Sequence, residues 1–207
     1  IDALMKTVDP AYTFEDEMLN HIDFLRHRVI LMTTHRRENL GEPMRHIYKA
    51  LRSIVEEIPD TEVVFPVHRN PLVRKVVEEE LSGADRIHLI DPMEYEPFAN
   101  LMNKCSLVLT DSGGIQEEAP SLGKPVLVLR DTTERPEAVA AGTVRLIGTE
   151  KDVVYRETKR LLTDRHAYDT MSNAVNPYGD GKASQRIVQA ILRDFGGEET
   201  VLEEFSL

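Results

Sequence analysis

Short apolar runs alternate along this chain with stretches whose apolar residues recur at helical spacing. Val29-Ile30-Leu31-Met32, Val63-Val64-Phe65, Ile87-His88-Leu89-Ile90, Cys105 to Leu109, Val126 to Leu129 and Val144 to Ile147 read as strands. Between them, residues 43–58 place Met44, Ile47, Leu51, Ile54, Val55 and Ile58 on one stripe, and residues 71–81 bring together Leu72, Val73, Val76, Val77 and Leu81. The same spacing predicts helices over 14–26 (Met18, Ile22, Leu25), 94–103, 136–141, 151–163, 165–173 and 182–195. A further helix opens at Ser112 and ends near Gly123. Pro136 suits the first position of its helix. Strands and helices in this alternation predict βαβ units and a mostly parallel sheet covered on both faces.

Ligands of such sheets bind beyond the carboxyl ends of the strands. Polar residues gather there. Thr33 to Glu38 follow the first strand, Pro66 to Asn70 the second, Asp91-Pro92 the third, Thr110 to Gly114 the fourth and Arg130 to Arg135 the fifth. The densest stretch is Thr-Asp-Ser-Gly-Gly-Ile-Gln-Glu-Glu at 110–118. A strand that stops at a small, glycine-rich turn and restarts as a helix offers an anion the unpartnered first-turn N–H groups. Gly113 and Gly114 let a phosphate approach the backbone, and Ser112 can cap the helix or bond a phosphate oxygen. A plain capped strand-to-helix turn would look the same.

Other residues carry the same double reading. His35 is a ligand group, or simply caps a strand or pairs with Glu38, and His68 is a ligand group or an ordinary loop histidine. Glu117 and Glu118 form a solvated helix face, or Glu118 leans back toward Gly114 to accept the two hydroxyls of a ribose. Arg135 suits phosphate but also an open surface. Phe98 reads as core on composition alone.

Composition narrows the classes. The chain has 207 residues, 41% of them hydrophobic, room for one large domain or one and a half small ones. No apolar run approaches the roughly 20 residues of a membrane span, and no signal peptide is visible. A net charge of −11, from 36 acidic against 25 basic residues, argues against nucleic-acid binding. The single Cys105 excludes an internal disulfide and suits the cytoplasm. No Gly-x-Gly-x-x-Gly follows the first strand, and no phosphate-binding P-loop, His-Glu-x-x-His or Gly-x-Ser-x-Gly occurs, despite a superficial likeness at Asp111-Ser112-Gly113. Neither a metal nor an organic cofactor is expected. The chain opens at Ile1 rather than Met, as a fragment or processed product would.

Four long strings carry a resemblance: Thr34 to Asn39, Thr110 to Glu118, Arg130 to Glu137, and Asn176-Pro177-Tyr178-Gly179-Asp180-Gly181. In order and spacing the chain resembles the C-terminal half of the non-hydrolysing UDP-N-acetylglucosamine 2-epimerases. The resemblance implies one half of a GT-B-type fold, two Rossmann-like domains facing across a cleft. Residues 1–27 would be an interdomain segment and leading helix, and 28–180 the UDP-binding domain. Residues 181–207 would form a helix and tail, the helix packing on an absent N-terminal domain through Ile187, Val188, Ile191 and Leu192. The acidic tail from Gly196 to Leu207 is expected to be loose or docked elsewhere.

That family interconverts UDP-N-acetylglucosamine and UDP-N-acetylmannosamine by eliminating UDP, through a 2-acetamidoglucal, and adding it back. The resemblance implies a UDP site of His35, Phe98, Ser112, Gly113, Gly114, Glu118 and Arg135, with His35 also catalytic. Phe98 would line the uracil site and Glu118 would hold the ribose. Arg36 and His68 match positions that bind a second substrate molecule as allosteric activator. The resemblance also implies that the carboxylates moving the C2 proton lie in the absent domain, and that the full-length protein is a homodimer. Two alternatives stay open: the donor domain of a GT-B glycosyltransferase, and a nucleotide-sugar sensor without turnover.

Overall fold

The computed structural model describes residues 1–196 and 205. Six strands form one sheet: β1 (Arg28–Thr33), β2 (Thr61–Pro66), β3 (Ile87–Ile90), β4 (Leu107–Thr110), β5 (Val126–Val128) and β6 (Val144–Leu146), in the order β3-β2-β1-β4-β5-β6. Every pairing is parallel, with Leu31 opposite Val64 on one side and Val108 on the other.

Period-2 alternation in buried strands sends successive side chains to opposite faces. Ile30, Met32, Val63, Phe65, Leu107, Leu109 and Leu127 enter one core, and Val29, Leu31, Val64, Val108, Val126 and Val128 the other. The first core is closed by α3 (Glu42–Glu57), α4 (Pro71–Leu81), α8 (Lys151–Thr163) and α9 (Arg165–Ser172). The second is closed by α1 (Asp2–Thr7), α2 (Glu17–His21), α5 (Tyr95–Lys104), α6 (Gly113–Glu118) and α7 (Pro136–Ala141). The division follows from handedness. The chain walks outward from β1 to β3, returns to β1's other side as β4, and walks out again to β6. Right-handed crossovers taken in opposite directions must lie on opposite faces. The direction reverses between β1 and β4, so the loops that follow those two strands part and leave a crevice. The fold is therefore the expected Rossmann-like α/β class, with a wholly parallel sheet.

Residues 14–26 depart from the expected single helix. Asp16 caps α2 by accepting from the Met18 N–H at 3.0 Å, but the helix lasts only to His21 and Ile22 turns extended. Asp23 then draws the N–H groups of Leu25 and Arg26 to its own carboxylate, at 3.2 and 3.1 Å. An aspartate that bonds nearby backbone competes with helix continuation. Leu25, assigned to the apolar stripe, is 99% exposed. The short α1 was not anticipated; its anchor is the buried Leu4. After Glu118, α6 tightens into a 3-10 turn over Ala119–Leu122 containing Pro120, which lacks an N–H, and ends on Gly123 at φ 66°.

The last helix, α10 (Ala183–Gly196), exposes Ile187, Val188, Ile191 and Leu192 by between 41 and 59%. Apart from Gly196 and Phe205, the expected loose tail lies outside the described residues.

Burial sets the expected mutational response. Phe65→Ala, in the first core against Tyr48, should cost about 3–5 kcal/mol in urea unfolding. Leu25→Ala should stay within about 0.5 kcal/mol; a larger loss would restore Leu25 to a packed helix.

Candidate functional site

The crevice is organised by a side chain that sequence reasoning passed over. Asp111, directly after β4, is completely buried. Its carboxylate accepts the backbone N–H of His35 at 3.0 Å, that of Arg36 at 2.9 Å and the amide of Asn39 at 3.1 Å. His35 Nδ1 lies 3.1 Å from its other oxygen. One carboxylate thus holds the whole loop after β1 against the end of β4. Burial pushes the Asp111 pKa up, but the His35 side chain and the two backbone donors outweigh it and leave it below the ordinary value. Around this hub, Thr33 and Thr110 hydroxyls meet at 2.7 Å, Thr34 meets the Tyr48 hydroxyl at 2.7 Å, and the Asn39 amide reaches the Leu129 carbonyl at 3.0 Å.

The loop after β5 is tied down separately. The buried Arg130 guanidinium donates to Glu38 at 2.8 Å and Glu134 at 2.7 Å. Arg130 draws the Glu134 carboxyl down to about 2. Gln116, also buried, bridges α6 to this loop, donating to the Ser112 carbonyl at 3.0 Å and accepting from Thr133 at 2.6 Å. Thr133 Oγ1 in turn accepts the Arg135 N–H at 3.1 Å, and the Arg135 guanidinium pairs with Glu117.

These ties bring most of the expected residues together. A cleft of about 200 Å³ is lined by Thr33, Thr34, His35, Pro66, His68, Pro92, Met93, Phe98, Ser112 and Ile115. The His35 and His68 rings stack there, centroids 5.8 Å apart and 23° from parallel. His35 pairs with Asp111, not with Glu38. The first turn of α6 borders the cleft, with Gly114 open to solvent. Ser112 makes no side-chain capping bond, so its hydroxyl is not committed to the helix. A methyl group at Gly113 would lie 4.0 Å from the guanidinium nitrogens of both Arg36 and Arg135. Two cations therefore converge over the start of α6 in a chain of net charge −11. Arg36 stands here beside Arg135, its Nε donating to the Asp111 carbonyl at 3.2 Å. Glu118 accepts from the Tyr95 hydroxyl at 3.1 Å, and burial, then the Glu118 charge, push the Tyr95 pKa up to about 12.

The family model described as UDP-N-acetylglucosamine 2-epimerase matches residues 1–192. The chain belongs to the UDP-N-acetylglucosamine 2-epimerase family. It is 52% identical to the UDP-N-acetylglucosamine 2-epimerase of Bacillus subtilis over 206 residues, all of this chain and 53% of that one. Among solved structures, the complex of Staphylococcus aureus MnaA with UDP superposes with a TM-score of 0.89 at 48% identity, covering 100% of this chain and 55% of that one. The Neisseria meningitidis epimerase bound to UDP-GlcNAc superposes with a TM-score of 0.82 at 47% identity, over 93% of this chain and 53% of that one. The chain spans about half the length of the relatives it matches.

Asp111 and Glu62 have depressed carboxyl pKa values. Burial raises the Glu62 pKa, but hydrogen bonds from His27 and His88 outweigh it. Both carboxyls bind protons less readily folded than unfolded. Their stabilisation is complete above about pH 5, where unfolded carboxylates are ionised, and is lost as pH falls through the folded values. Urea midpoints measured from about pH 7 to pH 3 should fall on the acid side, and less steeply in Asp111→Asn. A wild-type midpoint flat across that range would contradict the assignment.

Proposed function

We propose that this chain is the UDP-binding half of an epimerase that interconverts UDP-N-acetylglucosamine and UDP-N-acetylmannosamine. The observation that carries the reading is the convergence of Arg36 and Arg135 on Gly113, beside His35, at the point where the sheet reverses direction. Cleaving the bond from the anomeric carbon to the diphosphate oxygen leaves negative charge on the diphosphate. Guanidinium groups, first-turn N–H groups and the Ser112 hydroxyl are the donors such charge needs. Phe98 offers a ring for the base from the cleft wall, and Glu118, held by Tyr95, offers a carboxylate for the ribose. His35 is the catalytic group of this half. His68, stacked on His35, and Arg36, which also faces the diphosphate side at Gly113, are the contacts for a second nucleotide-sugar acting as activator.

The carboxylates that move the C2 proton belong to an amino-terminal half, which would also cover the apolar face of α10. The three boundaries, at 1–27, 28–180 and 181–207, follow this division. A homodimer of the longer protein fits the same reading. Among the described residues no helix is long and apolar enough to cross a membrane, and the lone buried Cys105 supports the cytoplasm. A glycosyltransferase donor domain is less well supported, because the relatives at about half identity carry the epimerase name.

In calorimetric titration, this chain should bind UDP weakly. Ser112→Ala, Glu118→Ala and Arg135→Ala should each weaken binding by roughly ten- to a hundred-fold, the range of one hydrogen bond to a charged group. The chain alone should not epimerise. Fused to the amino-terminal half of the Bacillus subtilis relative, it should. Turnover by the chain alone, or UDP binding indifferent to all three substitutions, would sink the proposal.

A further inference from the structure

We propose that Asp111 is a positioning residue for His35, fixing the ring with its proton on Nδ1 and its Nε2 turned to the cleft. The inference deepens the reading above and rests on it only for the anion that Nε2 would meet.

The geometry leaves the ring one role at each nitrogen. Nδ1 faces a carboxylate oxygen at 3.1 Å, and that carboxylate has no proton to give in return. The hydrogen on the neutral ring must therefore sit on Nδ1, because a lone pair there would face an anion. Asp111 cannot turn aside. It is fully buried, and its oxygens are held by the His35 and Arg36 N–H groups and the Asn39 amide. Nor can the ring swing freely, since its backbone is bound to the same carboxylate and its face lies against His68. The edge of the ring opposite Nδ1 is what remains, and the His35 side chain, 40% exposed, lines the cleft. His68 shows the opposite arrangement: its Nδ1 accepts the Asn70 N–H at 3.1 Å, so its hydrogen is on Nε2. Two stacked imidazoles thus carry opposite tautomers, each dictated by one neighbour.

A ring fixed this way meets an anionic oxygen as a donor when protonated and a departing proton as an acceptor when neutral, without reorienting between the two. Asp111 is fully buried and does not line the cleft, so it would touch neither substrate nor reacting atom. It acts through His35 and, by the Arg36 N–H, through the neighbouring cation.

The test is long-range nitrogen–proton NMR of the histidine rings in this chain, at about pH 8.5, where imidazoles of ordinary pKa are neutral. His35 is assigned from the spectrum of His35→Gln. The expected result is a hydrogen on His35 Nδ1 and on His68 Nε2. A His35 hydrogen on Nε2, or an even mixture, overturns the proposal, whatever Asp111→Asn shows. In Asp111→Asn the His35 ring should lose its preference, and UDP affinity should fall about ten-fold, the size of one charge-assisted hydrogen bond. Asp111→Asn that folds and keeps the Nδ1 hydrogen also overturns it. If UDP leaves the His35 nitrogen frequencies unmoved, in the chain and in the fusion alike, the diphosphate reading fails while the hold of Asp111 on the ring stands.

Discussion

The site depends on a buried carboxylate that, among the described residues, forms no ion pair with a lysine or arginine side chain. Taking an isolated carboxylate out of water costs several kcal/mol. Asp111 meets that cost with directed donors, two backbone N–H groups and an amide, and with an imidazole nitrogen 3.1 Å away. The donors come from a loop 72 to 76 residues earlier in the chain. The interaction therefore exists only after β1 and β4 have paired, with Thr33 in register against Thr110. Sheet pairing places the carboxylate, and the carboxylate then fixes the loop.

Further ties of the same kind carry order outward. Asn39 extends the hub to the end of β5 through the Leu129 carbonyl, and Arg130 holds the next loop between Glu38 and Glu134. Gln116 joins α6 to Thr133. Three strand ends thus become one frame. The frame also handles charge. Arg130 and Arg135 are matched by Glu134 and Glu117, so cations can gather in an acidic chain without strong repulsion. An arriving anion would compete with half-buried carboxylates for Arg135, so part of its attraction would go into displacing Glu117.

What the sequence discloses depends on whether a feature is local. The six strands and the long helices were legible because burial on one or two faces writes a period directly into the residues. The polar strand ends were legible because an open parallel sheet puts them on one edge. Residues 14–26 misled because Met18, Ile22 and Leu25 keep helical spacing while Asp23 offers the backbone another partner. Asp111 was hidden for a different reason. An aspartate in a Thr-Asp-Ser-Gly-Gly turn looks like turn chemistry, and only distant donors make it a buried hub. The one available signal was position, an acidic residue directly after an apolar strand. Arg130 was grouped with its loop for the same reason, since its near-total burial is a tertiary fact.

The exposure of the proposed ligand groups explains why a well-ordered half-site would still bind weakly. The His35, Arg36 and Arg135 side chains remain 40, 34 and 32% exposed. Charges so placed act through a high effective dielectric, and each contributes less to an anion in front of it than it would with water excluded. The same groups gain strength once water is excluded, because their orientation is already fixed by buried partners and need not be rebuilt. Orientation is thus supplied within this chain, by Asp111 and Gln116, while exclusion of water would have to come from a surface facing the crevice. Under the proposed function, a division of that kind would let a nucleotide-sugar enter an open, weakly attracting cleft and meet the full field only once water is excluded. It also means that the ordered hub alone would not stabilise the leaving diphosphate as strongly as the covered site.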